Sequence, residues 1–362
     1  MDLKKTPLYD EHINLKGKMV DYAGWSLPVQ YEGIIAEHEA VRTKAGMFDV
    51  SHMGEVLIKG KGALDYLQHL LTNDIASLKL NQVVYTFMCY PDGGVVDDLL
   101  VYRLGNEEYL LVINASNTDK DYKWMKDNVG NFQVTVENIS DKVGEVALQG
   151  PNAEKILAKL TDENLADIKF FHLKNDVSIA NTKCLISRTG YTGEDGFEIY
   201  SSLDGIKIVW EKVLESGKEY GIKPTGLGCR DTLRFEAGLP LYGHEISKDI
   251  SPIEGGFKFF VKLDKEDFIG KDALVQQNEK LSKKVVGFEL IERGIPREGY
   301  DVEVDERKIG HVLTGYHSPT LNKNIGTALV DIEHSKMGSE FDVIIRKKPV
   351  KAKIIGKKFY KR

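Results

Sequence analysis

The stretch VVDDLLVYR at 95–103 places two adjacent carboxylates inside an apolar run. Successive side chains of a strand point to opposite faces, so Asp97 and Asp98 cannot share one. One of them must point with Leu100 and Tyr102. An ionised carboxylate among apolar groups is costly unless it is paired or hydrogen-bonded, and a chain that tolerates one usually uses it. The preceding segment, 84–90, is apolar and aromatic, and Pro91-Asp92-Gly93-Gly94 is a strong turn signal. With Tyr90 paired to Val95, Phe87 faces Asp98 and Tyr85 faces Leu100. One face then carries Tyr85, Phe87, Asp98, Leu100 and Tyr102, an aromatic floor with a single acid in it. The alternative is an edge hairpin with Asp97 in water and Asp98 capping a neighbouring loop.

A second block, RTGYTGEDGFE at 188–198, holds glycines at 190, 193 and 196 and reads as a tight loop whose backbone can approach a ligand. In the strand that follows, Phe197 and Ile199 face a core, while Glu198 and Tyr200 face the other side. A carboxylate fixed there can accept two parallel N–H bonds, as from a guanidinium or an aminopyrimidinone ring. A decorated hairpin with Glu198 in water is the competing interpretation.

The segment GLGCRDTLRFE at 226–236 opens a helix. Gly-x-Gly alone is a weak phosphate signal, and the third glycine of the dinucleotide fingerprint is missing. Arg230 and Arg234, four apart, share a helix face and could clamp a carboxylate or simply form salt bridges. Asp49, Ser51 and His52 gather in DVSHMGE without a nucleophile elbow, which favours a structural turn. Neither His38-Glu39 nor His244-Glu245 is followed by a second histidine at helical spacing, so neither is a zincin motif.

These residues need a sizeable scaffold to position them. The 362 residues suffice for two or three domains, and 42% apolar with 29% charged content is ordinary for a globular protein. No apolar run approaches the roughly 18 residues of a membrane span. The N-terminus MDLKKTPLYDEH lacks the apolar region of a secretory signal. Cys89, Cys184 and Cys229 lie far apart, which argues against a zinc site or disulfide framework and fits a reducing, cytoplasmic setting. The net charge of −6 is uneven: residues 346–362 hold nine Lys/Arg and no acid. That tail could meet a polyanion, or form a half-buried strand with a solvated lysine face through Val350, Ala352 and Ile354. No arginine-rich or Gly/aromatic-rich segment supports nucleic-acid binding.

Hydrophobic periodicity predicts helices over 35–45, 64–71, 151–160 and 227–237. Ser116 can cap one running to about Asn128, and Asp204 a long one stopping at Gly221. Strands are expected at 55–59, 109–114 and 132–137. After a lysine-rich stretch at 278–284, short alternating strands recur at 285–290, 300–304, 309–316, 325–332, 340–346 and 350–355, the signature of a small antiparallel barrel. The expected division is a discontinuous α+β domain of 1–53 plus 139–280, an inserted α+β domain of 54–138, and a C-terminal barrel of 281–362.

Taken together, these blocks resemble the aminomethyltransferase (T protein) family of the glycine cleavage system. The resemblance is carried by TPLY at 6–9, AGW at 23–25, PVQY at 28–31, EHEAVR at 37–42, FDVSHMGE at 48–55 and LTND at 71–74. It continues with YPDGGVVDDLLVY at 90–102, NASN at 114–117, QGP at 149–151, RTGYTGEDGFEIY at 188–200 and GLGCRDTLRFEAGLPLYGHE at 226–245. GYHSPTLNKNIGTALV at 315–330 and KAKI at 351–354 complete a collinear match over nearly the whole chain.

The resemblance implies an α+β fold of three domains around a central opening that binds tetrahydrofolate as co-substrate, with no metal, flavin or nicotinamide. It implies transfer of an aminomethyl group from the lipoyl arm of H protein, yielding ammonia, 5,10-methylenetetrahydrofolate and the dihydrolipoyl arm. Carried over position by position, Asp98 is the acid beside the reacting folate nitrogens. Tyr85, Leu100 through its backbone, Tyr102, Asn114, Tyr191 and Glu198 surround the folate, with Glu198 on the pterin N–H edge. Arg230 lies near the p-aminobenzoyl-glutamate portion. The family commonly has GLGAR and GQE where this chain has Cys229 and His244. Two relatives of the same fold class compete. An iron–sulfur assembly factor is disfavoured by the lack of its K-G-C-Y motif, and a folate-dependent demethylase differs in surfaces that sequence does not display. No membrane or nucleic-acid partner is implied.

Overall fold

The computed structural model describes residues 2–362 and contains two compact units. The first comprises the chain up to Gln68, Ile75–Tyr85 and Leu99–Leu233; the second comprises His69–Asp74, Thr86–Asp98 and Arg234–Arg362.

The first unit contains a six-stranded sheet in the order Leu173–Ile179, Thr182–Ser187, Gly196–Ser202, Val143–Gln149, Gly46–Asp49, Lys223–Thr225. The last two strands pair parallel and the others antiparallel. One face is apolar because Val146, Leu148, Ile186, Phe197 and Ile199 alternate onto it. The helix Leu203–Gly217 covers that face with Ile206, Val209, Trp210 and Val213, a spacing that forms one stripe. Its cap is Ser202, whose hydroxyl accepts from the Gly205 amide at 3.2 Å, while Asp204 lies in the first turn. The α-helix ends at Gly217, and a 3-10 turn, Lys218–Tyr220, leads to left-handed Gly221 at φ +70°. Both departures from the expected Asp204–Gly221 helix follow from the better-placed Ser202 acceptor and the tighter final turn.

A second sheet runs in the order Val83–Cys89, Val95–Arg103, Glu108–Ile113, Gly54–Lys59, Thr135–Asn138. Val83, Tyr102, Leu110 and Val112 from this sheet pack with Leu173 and Tyr200 from the first. Three other expectations are corrected here. Ser116 is exposed within a 3-10 turn, Ala115–Asn117, and the α-helix begins only at Thr118. The helix after Pro151 is short, Ala153–Leu157. The strand expected at 132–137 is Thr135–Asn138.

In the second unit, the hairpin tip closes by Tyr90 N–H to the Gly94 carbonyl at 2.8 Å and Gly93 N–H to the Tyr90 carbonyl at 2.9 Å. Gly93 adopts φ +88°, so the turn takes up one residue in the left-handed region and pairs Tyr90 with Gly94 rather than Val95. Asp97 is fully buried and Asp98 half-buried, so the version of the hairpin with Asp97 in water does not occur.

Six antiparallel strands, Lys283–Leu290, Lys323–Asp331, Arg307–Ser318, Asp301–Val304, Glu340–Ile345 and Lys348–Ile355, close into a barrel. Phe288 and Phe341 meet edge to face at 5.4 Å within its core. In the last strand Val350, Ala352 and Ile354 point inward while Lys351 and Lys353 are exposed, so this part of the basic tail is a strand with a solvated lysine face.

Arg234 and Glu245 form a buried ion pair at 2.8 Å, and Glu245 also accepts from the Leu241 amide and the Thr327 hydroxyl. Arg234 is therefore structural, and the two-arginine clamp read from the helix spacing does not exist: Arg234 is 1% exposed. Burial opposes the charge on Glu245, but Arg234 and the hydrogen bonds overcome it and hold the carboxyl below its usual range. A depressed carboxyl contributes stability that is present above its unfolded-state pKa and lost as pH falls. Replacing Arg234 by Met leaves a buried charge unpaired and should destabilise by about 3–5 kcal/mol in denaturant unfolding at neutral pH. A loss within experimental error would remove the pair from the account of stability.

Candidate active site

The strand Gly196–Ser202 places Glu198 opposite Ala147 and Tyr200 opposite Glu145. Cross-strand pairs share a face, so Glu198, Tyr200 and Glu145 lie on the side opposite Phe197 and Ile199. Glu198 is 7% exposed, which removes the possibility that it sits in water. Its Oε2 accepts from Tyr102 Oη at 3.3 Å and from the Thr189 hydroxyl. Among the described residues no donor reaches its other oxygen. Tyr102 and Tyr200 join hydroxyl to hydroxyl at 2.9 Å, with their rings edge to face at 5.8 Å.

The glycine-rich loop ahead of Glu198 is pinned at several points. Gln149 donates to the Thr189 carbonyl at 3.0 Å and accepts from the Thr192 hydroxyl at 2.8 Å. Arg42 reaches the Thr192 carbonyl at 2.7 Å and Glu194 at 3.0 Å. Arg188 grips Asp195 at 2.6 Å and Glu154 at 2.7 Å. Gly190 and Gly196 serve packing, because a Cβ on either would collide with Gln149. Arg230, half-buried, stacks its guanidinium over Tyr191 at 4.6 Å. Gly226 and Gly228 make room for Val29 and Ile34, a packing reason for that glycine pair.

Burial raises the Glu198 carboxyl, and the Thr189 hydrogen bond, the Arg230 charge and the Tyr102 hydrogen bond offset only part of that rise. Burial raises Glu145 well above the carboxylate range, with the neighbouring Glu198 and Glu55 adding to it. Glu55 is fully buried, neither of its oxygens has a hydrogen-bond partner among the described residues, and burial raises it strongly too. His52 is pushed down to about 4 by burial and by Arg230, against the pull of Asp49, and is neutral at pH 7.

Asp49 is occupied structurally: it accepts from Thr6 at 2.6 Å and from the Ser51 amide at 2.9 Å, and pairs with His12 at 2.8 Å. It thus orders the turn at 49–52, as expected for that motif.

Of the residues named from sequence, the first unit brings Tyr102 to Glu198 and Tyr191 to Arg230, and packs Leu100 against the cluster containing Tyr102. Asn114 lies just after the strand Glu108–Ile113, and Tyr85 is half-buried in Val83–Cys89. Asp98 belongs to the second unit. Cys229 is an apolar neighbour of Val41, Phe48 and Leu233, and His244 Nδ1 lies 3.2 Å from the Leu313 carbonyl. Sequence reading passed over Thr189, Glu145 and the pinning residues Arg42 and Gln149. Glu145 alone carried a signal: in VGEVALQ it is a lone carboxylate within an apolar strand, like the acid in VVDDLLVYR.

The folded state binds a proton on Glu145 more tightly than the unfolded chain does. Stability therefore declines as pH rises above the ordinary carboxylate range. The substitution Glu145→Gln should flatten that decline. In thermal unfolding the variant should gain on the parent at about pH 8, with the gap closing near pH 5. A constant gap across pH would contradict this.

The GCVT N-terminal domain family matches residues 8–265, and the glycine cleavage T-protein C-terminal barrel domain family matches 283–361. The aminomethyltransferase of Caldanaerobacter subterraneus subsp. tengcongensis is 61% identical over 362 residues, covering 100% of this chain and 97% of that one. That of Alkaliphilus oremlandii is also 61% identical, covering 100% and 98%. The crystal structure of glycine cleavage system aminomethyltransferase T from Bartonella henselae superposes with a TM-score of 0.92 at 31% identity, covering 99% of this chain and 98% of that one. The paired acid–tyrosine site and the C-terminal barrel thus sit in a chain that belongs, over its whole length, to the aminomethyltransferases of the glycine cleavage system.

Proposed function

We propose that the chain transfers an aminomethyl group from the lipoyl arm of an H protein to tetrahydrofolate, releasing ammonia and forming 5,10-methylenetetrahydrofolate. The observation that carries this reading is Glu198: a buried carboxylate with one oxygen held by Tyr102 and Thr189 and the other meeting no donor among the described residues. An aminopyrimidinone edge offers parallel N–H groups that a carboxylate accepts. Tyr191 and Tyr102 suit the flat rings of the folate, and Arg230 suits its terminal carboxylates. In this reading Tyr85, the Leu100 backbone and Asn114 complete the folate surroundings.

When bound, tetrahydrofolate supplies two nitrogens that take up the methylene carbon as the lipoyl sulfur and then ammonia depart. The nitrogens give up one N–H proton each, one ending on sulfur and one on the departing amine. Asp98 offsets the positive charge that builds on that carbon and accepts a proton from a folate nitrogen before passing it on. Glu198 and Arg230 hold the two ends of the folate, so that the reacting pair meets in a fixed orientation. Positioning of this kind contributes up to roughly 7–11 kcal/mol. The division into 1–53 plus 139–280, 54–138 and 281–362 belongs to the same proposal, supported by the six-stranded sheet, the five-stranded sheet and the barrel each falling within one part. A cytoplasmic setting is supported by three buried cysteines that form no disulfide among the described residues. The exposed lysines of the last strand offer a positive surface toward an acidic carrier protein.

The test is ammonia release from aminomethylated H protein. Release should require tetrahydrofolate. Asp98→Asn should keep tetrahydrofolate affinity while losing about 100-fold or more in turnover. Glu198→Gln should weaken tetrahydrofolate binding by roughly 10- to 100-fold. Full turnover in Asp98→Asn removes that residue from the chemistry, and folate-independent release at the full rate overturns the reading.

A further inference from the structure

Val95 opens the strand that carries Asp98, and both of its main-chain groups are taken by one loop, 241–248. Its N–H donates to the Ser247 carbonyl at 2.9 Å, and its carbonyl accepts from the Tyr242 hydroxyl at 3.2 Å. The Gly94 carbonyl bonds Tyr90 across the hairpin, so Val95 presents its groups to the opposite edge. The loop therefore sits where a further strand would pair. It comes close enough to require glycine at 94, because a Cβ there would lie 2.1 Å from the Lys248 carbonyl oxygen. The two glycines of the turn thus serve different ends: Gly93 supplies a φ of +88°, and Gly94 admits the loop.

The loop is itself anchored. Gly243 N–H donates to the Ile246 carbonyl at 2.8 Å, and His244 N–H to the Leu241 carbonyl at 3.0 Å. Buried Glu245 accepts from the Leu241 amide at 3.1 Å and the Thr327 hydroxyl at 2.7 Å, and pairs with Arg234. Tyr242 therefore stands between two fixed residues, and all of these groups belong to the second unit, as does Asp98. We propose that Tyr242 is a positioning residue for the transfer reaction: with the Ser247 carbonyl, its hydroxyl seats Val95 and so fixes where the strand presents Asp98. This rests on the reading of Asp98 for its consequence, though not for the seating of the strand. Val95 and Asp98 lie three residues apart on one strand, so a shift at the first is carried to the second. A displacement of about 1 Å at a reacting group can cost roughly 100-fold in rate. Glu198 and Arg230, which hold the folate in that reading, belong to the first unit, so the loss falls on turnover rather than on affinity.

Tyr242→Phe removes the hydroxyl and keeps the ring. In ammonia release by the full-length protein from aminomethylated H protein at saturating tetrahydrofolate, kcat should fall about fivefold or more, while tetrahydrofolate affinity stays within about twofold of the parent. The loss should disappear in the Asp98→Asn background, because a residue acting through Asp98 then has nothing to position. Unchanged kcat, or an equal loss in that background, overturns the proposal. Amide hydrogen exchange over 94–98 in the ligand-free protein tests the seating by itself. Exchange should quicken in Tyr242→Phe, and an unchanged rate overturns the proposal. Full turnover in Asp98→Asn would sink the catalytic reading and the consequence drawn from it, while the exchange result would still decide whether Tyr242 holds the strand.

Discussion

A carboxylate that must stay charged inside a protein needs donors on one side and something to attract on the other. Glu198 has the first in Thr189 and Tyr102, which both donate to Oε2, and in the proposed function the second is a bound ligand. Much of the first unit follows from that requirement. The register of Gly196–Ser202 against Val143–Gln149 puts Glu198, Tyr200 and Glu145 on one face. The glycine-rich loop is short and repeatedly pinned because Thr189 must sit within reach of Glu198. Arg230 contributes a positive field while its planar group is supported by Tyr191. The arrangement concentrates acids where burial opposes charge, and at Glu198 the Thr189, Tyr102 and Arg230 contacts offset part of that opposition.

Most of the fold was legible because period and turn chemistry agree along the chain. The barrel shows this best: alternation and glycine turns after residue 283 mark all six strands, and the inward residues are those the alternation selects. Boundaries were less legible where two caps compete. Ser202 and Asp204 are both good acceptors, and only the path of the chain decides that Ser202 meets the Gly205 amide. The hairpin turn misled by one residue because Gly93 enters the left-handed region, and local composition does not distinguish that turn from a longer one.

The site was legible in part, for a physical reason. Glu198 stands beside three glycines and an alternating strand, so its face could be read locally. Arg230 and Arg234 have the same spacing as a clamp, yet one stacks on Tyr191 and the other is buried against Glu245. Helical spacing tells which residues share a face but not which partner each will find. Gln149 carries no signal in sequence because its role is a hydrogen bond across 40 residues, and Thr189 reaches Glu198 only through the fold of the loop between them. Glu145 could have been found by the argument applied to Asp97 and Asp98: a carboxylate in an apolar strand requires an explanation.

The central claim is that the Glu198 carboxylate recognises a paired N–H edge. It is tested most directly by comparing tetrahydrofolate with an analogue whose 2-amino group is replaced by methyl, titrated calorimetrically into the unmodified protein. The account predicts that the analogue, which removes one of the two donors, binds at least tenfold more weakly. Equal affinity for the two compounds would contradict it.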